Sequence, residues 1–283
     1  MILVFGRHGQ VANELSKISN VRSLDRNQAN LLNPLSCYEI INSFSPVGVI
    51  NAAAYTDVDK AESEEDIAKI INSDSPKLIA KACLKLKIPL IHISTDYVFN
   101  GIGSKPWKPN DLTCPLGAYG RSKLGGEHEI RSSNCIHVIL RTSWIFSEYR
   151  KNFVKSILDI SDSKKEINVV SDQIGSPTPA KNLAYDCISI LSQLAEDPSK
   201  TGTYHYCGNP DISRSNLASA ILKLSKKNNV INPITSSDFN SKALRPLNSR
   251  LDCSSTLNTF NIKKPEWKPA LKKIVNKLLN KNE

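Results

Sequence analysis

The sequence predicts a doubly wound α/β fold, a parallel sheet covered by helices on both faces, with a smaller C-terminal part. Three observations carry the prediction. Short apolar, β-branched runs alternate with helical stretches through the first half of the chain. A glycine-bearing turn, Gly6-Arg7-His8-Gly9, follows the first of those runs and opens a helix. The second half loses the alternation and ends in an amphipathic stretch.

Taken in order, strands are expected at 2–5, 21–24, 47–51, 90–94 and 137–141. Helices are expected over 10–19, 67–86 and 119–132, with Lys87-Ile88-Pro89 closing the second of them before the next strand. Segments 168–170 and 203–206 are candidate returns to the sheet, while 175–179 and 242–250 read as loops. The tail over 268–279 spaces its apolar residues by 3 to 4 and turns its lysines to water, as a terminal helix does.

Without side chains at Gly6 and Gly9, backbone amides can approach a pyrophosphate, and Ala12 keeps the helix close to the strand. This is the setting of a Rossmann-type dinucleotide site. Gly6, Arg7, Gly9, Gln10 and Val11 are its phosphate-loop candidates. Asp25 closes the second strand about 20 residues on, where a carboxylate can bond both ribose hydroxyls. That carboxylate repels a 2′-phosphate, whereas Arg26, helped by Arg7, neutralises one, so NADPH and NADH both stay open. Ala52, Ala53 and Ala54 end the third strand with side chains small enough to lie flat against a nucleotide.

The division expected is a dinucleotide-binding domain over 1–147, with returns near 167–171 and 181–206, and a mainly substrate-binding part over 148–283. No internal repeat or low-complexity linker separates the two, so one cleft between them is expected.

Chemistry is suggested by Tyr119 and Lys123, four positions apart and so on one face of a helix. A lysine cation beside a phenol stabilises the phenolate, which would make Tyr119 an acid for a carbonyl oxygen. Thr95, at the carboxyl end of the fourth strand, can hold that oxygen by a hydrogen bond.

Composition narrows the function classes. The net charge of +10 is spread over dispersed lysines without interleaved aromatics, which argues against nucleic acid and leaves an anionic small molecule or a solvated surface. The seven cysteines include no C-x-x-C pair and the five histidines no i, i+4 pair, so neither a disulfide framework nor a metal site is expected. No apolar run reaches the roughly 18 residues of a membrane helix, and a cytoplasmic location without membrane association is the default expectation.

With these residues in view, the chain resembles the extended short-chain dehydrogenase/reductases and, within them, the dTDP-4-dehydrorhamnose reductase family. Further stretches carry the narrower resemblance: Val58-Asp59-Lys60-Ala61-Glu62, Arg141-Thr142-Ser143-Trp144, Asp172-Gln173-Ile174-Gly175-Ser176-Pro177-Thr178 and Arg245-Pro246-Leu247-Asn248-Ser249. The resemblance implies Thr95, Tyr119 and Lys123 as the catalytic set, supported by Asn72, with Tyr119 and Lys123 also touching the cofactor. It implies Thr95, Asp96, Trp144, Asn152, Phe153 and Arg245 as substrate-binding residues, with Trp144 bordering the sugar. The implied reaction is NAD(P)H-dependent reduction of the C4 ketone of dTDP-4-dehydrorhamnose, in dTDP-rhamnose and polysaccharide biosynthesis. Related dehydratases carry Thr-Asp-Glu where this chain has Thr95-Asp96-Tyr97, which favours reduction over elimination. Ala12 and Asn30 depart from the usual third glycine and acidic adenine contact, and bear on cofactor preference. Magnesium near a dimer contact, known in some members, stays open and unassigned, as does a homodimer. The alternatives are a reductase of a different nucleotide-linked 4-keto-6-deoxysugar and a non-catalytic NADP-binding regulatory subunit of the same fold.

Overall fold

The computed structural model describes residues 1–239 and 241–280. Its centre is a six-stranded, all-parallel sheet formed by β1 (Ile2–Phe5), β2 (Val21–Leu24), β3 (Gly48–Asn51), β4 (Leu90–Thr95), β5 (His137–Thr142) and a sixth strand, Gly202–His205. The spatial order is the sixth strand, β5, β4, β3, β1, β2. β3 and β5 are buried at every position, as strands covered on both faces must be. On one face pack the helices Gln10–Leu15 and Ala180–Glu196, through Val11, Leu15, Leu183 and Ile190. On the other pack Pro34–Phe44, Ser75–Leu86 and Ala118–Ser132, through Ile41, Ile79, Cys83 and Ile130.

Three local departures from expectation have clear causes. The first helix stops at Leu15, short of residue 19, because the Ser16 hydroxyl bonds back to the Asn13 carbonyl and Asn20 turns the chain with φ +67°. The helix expected over 67–86 contains a π turn at Ile70–Asp74. Pro76 has no N–H to offer the Asn72 carbonyl, and that carbonyl instead swings to where a Cβ on Gly126 would meet it at 2.1 Å. The helix Pro34–Phe44 was not among the expected elements, although Asn33 caps it and Pro34 starts it.

In the C-terminal part, Glu166–Val170 pairs in parallel with Val230–Ile234 and not with the main sheet, which corrects the expected return near 167–171. The reason lies in its pattern: alternating exposure suits a strand with one wet face, not the centre of a parallel sheet. Helices Phe153–Ser161, Arg214–Leu224 and Trp267–Leu279 close a separate core around Trp267, Leu271 and Val275. The segments expected as loops carry two-residue strands: Ile174–Gly175 lies between Ile212–Ser213 and Asn248–Ser249, and Thr178–Pro179 pairs with Ile145–Phe146. Gly175, in the first of these pairings, packs against the Trp144 indole and Ser249, just beyond the carboxyl end of β5. No helix among the described residues is long and apolar enough to cross a membrane.

Candidate active site

The chain leaves β1 towards β2 on one side and crosses to β3 on the other, so the carboxyl ends of β1 and β3 flank the point where strand order reverses. Gly6 sits there with φ +101°, and a Cβ on it would lie 3.0 Å from Ala53. Both conformation and space therefore demand glycine. Gly9 caps the following helix and donates from its amide to the Gly6 carbonyl at 2.7 Å. Asn51 shapes the other wall by accepting from the Ala53 amide at 3.2 Å, which turns Ala52–Ala54 past the loop. The result is a bare backbone cradle suited to a dinucleotide phosphate.

The remaining cofactor candidates divide by their surroundings. Asp25 Oδ1 accepts from the Asn27 and Gln28 amides at 2.9 and 3.1 Å, a turn that holds the carboxylate at the end of β2, while Arg7 and Arg26 are exposed beside it. Asn30 accepts from the Leu32 amide. Val11 is buried in the core, so only its backbone faces the cradle. Gln10 is committed elsewhere: it donates to the Ile145 carbonyl and accepts from Ser147 and Asn152, tying the loop to the C-terminal part.

Thr95 ends β4, its hydroxyl accepting from the Tyr97 amide at 3.1 Å and donating to Asp96 Oδ1 at 3.2 Å. Tyr119 stands beside it at the start of the Ala118–Ser132 helix, its ring edge-on to Tyr97 at 5.5 Å. The helix can come this close because residue 120 is glycine; a Cβ there would meet the Tyr97 carbonyl at 2.3 Å. Asn72, in the π turn, exchanges hydrogen bonds with the Tyr55 backbone and donates to the Ser122 hydroxyl, which in turn donates to the Tyr119 carbonyl. Below them Glu127 takes a bidentate hydrogen bond from Arg141 and a third from Ser94, which locks the helix to β4 and β5.

Lys123 is 1% exposed, and its Nζ lies 2.7 Å from the Ile93 carbonyl and 3.0 Å from His92 Nε2. Burial pulls it down to about 8. Burial pushes Tyr119 above its ordinary range, with Thr95 opposing the rise. The acidic phenol expected from the Tyr119/Lys123 spacing is therefore corrected: both groups share a helix face, but Lys123 sinks onto β4 and the phenol holds its proton.

Across the cleft Trp144 adopts φ +49°, strained for a bulky side chain, and sits against Gly175, where a Cβ would lie 2.8 Å from the indole. Arg214 stacks on Trp144 at 3.6 Å, with Phe153 4.9 Å away on the same guanidinium. Arg245 makes a bidentate pair with Asp59 at 3.1 and 2.7 Å. Asn152 spends its oxygen capping the Val154 and Lys155 amides and its amide on Gln10 and the Ser147 carbonyl. Asp96 is 2% exposed, its Oδ2 without a hydrogen-bond partner, and burial pushes it up to about 6. No cluster of three or more His, Cys, Asp or Glu side chains suited to a metal occurs among the described residues.

A family model described as RmlD substrate binding domain matches residues 1–280. A dTDP-4-dehydrorhamnose reductase of Aggregatibacter actinomycetemcomitans is 37% identical over 96% of this chain and 97% of its own. The chain belongs to the dTDP-4-dehydrorhamnose reductase family. Solved structures agree: the reductase of Clostridium acetobutylicum superposes with a TM-score of 0.90 at 33% identity, over 98% of this chain and 99% of its own. That of Bacillus anthracis, in complex with NADP, gives 0.89 at 29% identity over 98% of each.

Two residues of this family member escaped the sequence reading. His92 reads as one more residue of an apolar strand, yet it is fully buried between Asn51 and Lys123. Arg214 opens a helix, where the dipole disfavours a cation. That misfit was the signal that could have found it.

Proposed function

We propose that the chain reduces the C4 keto group of dTDP-4-dehydro-6-deoxy-L-mannose (dTDP-4-dehydrorhamnose) with NAD(P)H, giving dTDP-L-rhamnose. The observation that carries this reading is the placement of Thr95 and Tyr119 side by side at the carboxyl end of β4, on the sheet edge that also bears the Gly6 cradle. A reduced nicotinamide, when bound, supplies hydride to C4. Gly6, Gly9 and Ala52–Ala54 would hold the cofactor's phosphates and nicotinamide half, and Asp25 with Arg26 and Arg7 would meet the adenosine ribose. Lys123, seated on β4 beside the same strand ends, would supply a cation to the cofactor's ribose.

Tyr119 holds its proton at neutral pH as any phenol does, and burial, opposed by Thr95, shifts it further in that direction. The alkoxide forming at C4 is a stronger base than a phenolate, so the proton passes from Tyr119 Oη to O4. Thr95 fixes the ketone oxygen for that transfer. Asp96, Trp144 and Phe153 border the sugar, and the Arg245–Asp59 pair closes the nucleotide end. An NADP-bound relative supports NADPH, and the carboxylate of Asp25 supports NADH, so both are expected to serve.

The test is loss of nicotinamide absorbance when dTDP-4-dehydrorhamnose is added to purified protein with NADPH or NADH. Turnover that depends on the 4-keto sugar supports the reading. Absence of turnover with either cofactor, under conditions where a reductase of the family is active, overturns it.

A further inference from the structure

Arg214 is the unmatched cation of the cleft. Its guanidinium rests on the Trp144 ring at 3.6 Å with the Phe153 ring 4.9 Å off. Stacking of this kind holds the cation by its flat face and leaves the N–H donors, which lie in the plane, unspent. Among the described residues Arg214 makes no salt bridge and no side-chain hydrogen bond; Asp96, Tyr97 and Arg245 reach it only as through-space charge. Its neighbour Arg245 differs, since Asp59 already grips it with both oxygens.

Within reach of its charge lies a buried carboxylate oxygen, Asp96 Oδ2, which has no partner at hydrogen-bond distance although the Ser249 hydroxyl stands near the carboxyl. The two attract but form no salt bridge or hydrogen bond, which leaves a donor group and an acceptor atom both available to a ligand. A half-buried guanidinium whose donors meet no acceptor at hydrogen-bond distance is costly, and a neutral hydroxyl would satisfy only one of those donors. A diphosphate would satisfy more, because its oxygens match the planar fork of arginine. The lone oxygen of Asp96 suits the reverse partner, a hydroxyl donor such as one on the hexose.

Resting on the nucleotide-sugar reading above, we propose that Arg214, caged by Trp144 and Phe153, is the direct anchor for the diphosphate of the substrate. The sugar then hangs from that anchor with its hydroxyls towards Asp96 and its ketone towards Thr95 and Tyr119.

The experiment is calorimetric titration of dTDP, which carries the diphosphate but no hexose, into the full-length protein saturated with NADPH. Wild type, Arg214→Met and Arg214→Lys are compared, with melting temperature and NADPH affinity measured on each. Loss of one charge-assisted contact predicts roughly 10- to 100-fold weaker dTDP binding by Arg214→Met, with NADPH affinity unchanged. Arg214→Lys, which keeps the charge but not the fork, should fall between the two. In turnover, KM for the sugar nucleotide should rise by a similar factor with kcat within a few-fold. Several results overturn the proposal: dTDP binding by Arg214→Met within twofold of wild type, dTDP binding by Arg214→Lys that is no weaker than wild type, equal losses for dTDP and NADPH, or no dTDP binding by wild type. The titration needs no catalysis, so a wild type that binds dTDP through Arg214 but does not turn over would sink the proposed reaction and spare this anchor.

Discussion

Lys123 Nζ lies 3.0 Å from His92 Nε2, and on the far side of the same imidazole the Asn51 amide nitrogen lies 3.1 Å from Nδ1. Asn51 is oriented by the Ala53 amide, which donates to its oxygen, so its nitrogen faces the ring as a donor. A neutral imidazole has one acceptor nitrogen and here meets two donors. The mismatch disappears when Lys123 gives up a proton, in the same direction as burial, which draws Lys123 down to about 8. A lysine poised to neutralise thus links the Ala52–Ala54 turn to the Ala118–Ser132 helix.

The first prediction follows from that poise. If the ammonium orients the bound cofactor, kcat/KM should decline as pH rises through about 8, where Lys123 loses its charge. His92→Gln, placing a carbonyl acceptor at the ammonium, should move the decline to higher pH. A pH profile with the same midpoint in wild type and variant would remove His92 from this role.

Tyr119→Phe should lower kcat by at least about 100-fold, the scale of general-acid catalysis, and leave NADPH affinity near wild type. Steady-state kinetics with cofactor fluorescence titration separates the two effects; undiminished turnover would exclude the phenol as proton donor.

Asp96→Asn is expected to stabilise the protein while harming substrate binding. The folded carboxyl titrates near 6, above its unfolded value of 3.8, so its ionised form burdens the fold at neutral pH. The gain should be on the order of 1–3 kcal/mol at pH 7, shrink as pH falls through about 6, and vanish below about 4. Thermal melts across that range check it, and a variant less stable than wild type at pH 7 would contradict it.

Glu127→Gln should cost about 3–5 kcal/mol, because it strands Arg141 in a buried site. Burial alone would raise Glu127, but Arg141 and Ser94 outweigh it and hold the carboxyl below 4.5. Its contribution is therefore present above that pH and lost as pH falls through the depressed folded value. Chemical denaturation of the two proteins at pH 7 and in acid measures both parts.

Gly6→Ala introduces a Cβ 3.0 Å from Ala53 at a φ of +101°. NADPH affinity should drop by at least about tenfold, with a stability loss on the order of 1–3 kcal/mol. Equal affinity in both proteins would show that the cradle does not hold the phosphates.

Much of the site was legible in the chain because its logic is local. A glycine between strand and helix, three alanines ending a strand, and Tyr119 and Lys123 at helical spacing each report their own conformation. The run Glu166–Val170 alternates in polarity just as locally, but nothing local says which strand it pairs with, so its partner Val230–Ile234 is visible only in the fold. Asn152 and Gln10 were equally opaque: they bond each other across 142 positions of sequence, which no spacing reveals.

By itself the sequence determined the parallel sheet, its glycine turn and the helical spacing of Tyr119 and Lys123, since hydrophobic period and turn chemistry act over a few residues. Tertiary structure alone decided the electrostatics. It partly buried Tyr119 and raised its phenol, drew Lys123 onto His92 and the Ile93 carbonyl, and set Arg214 against two aromatic rings without a salt bridge. The reason is physical: the cost of a charge depends on the solvent and partners around it, and those are supplied by segments far apart in the chain.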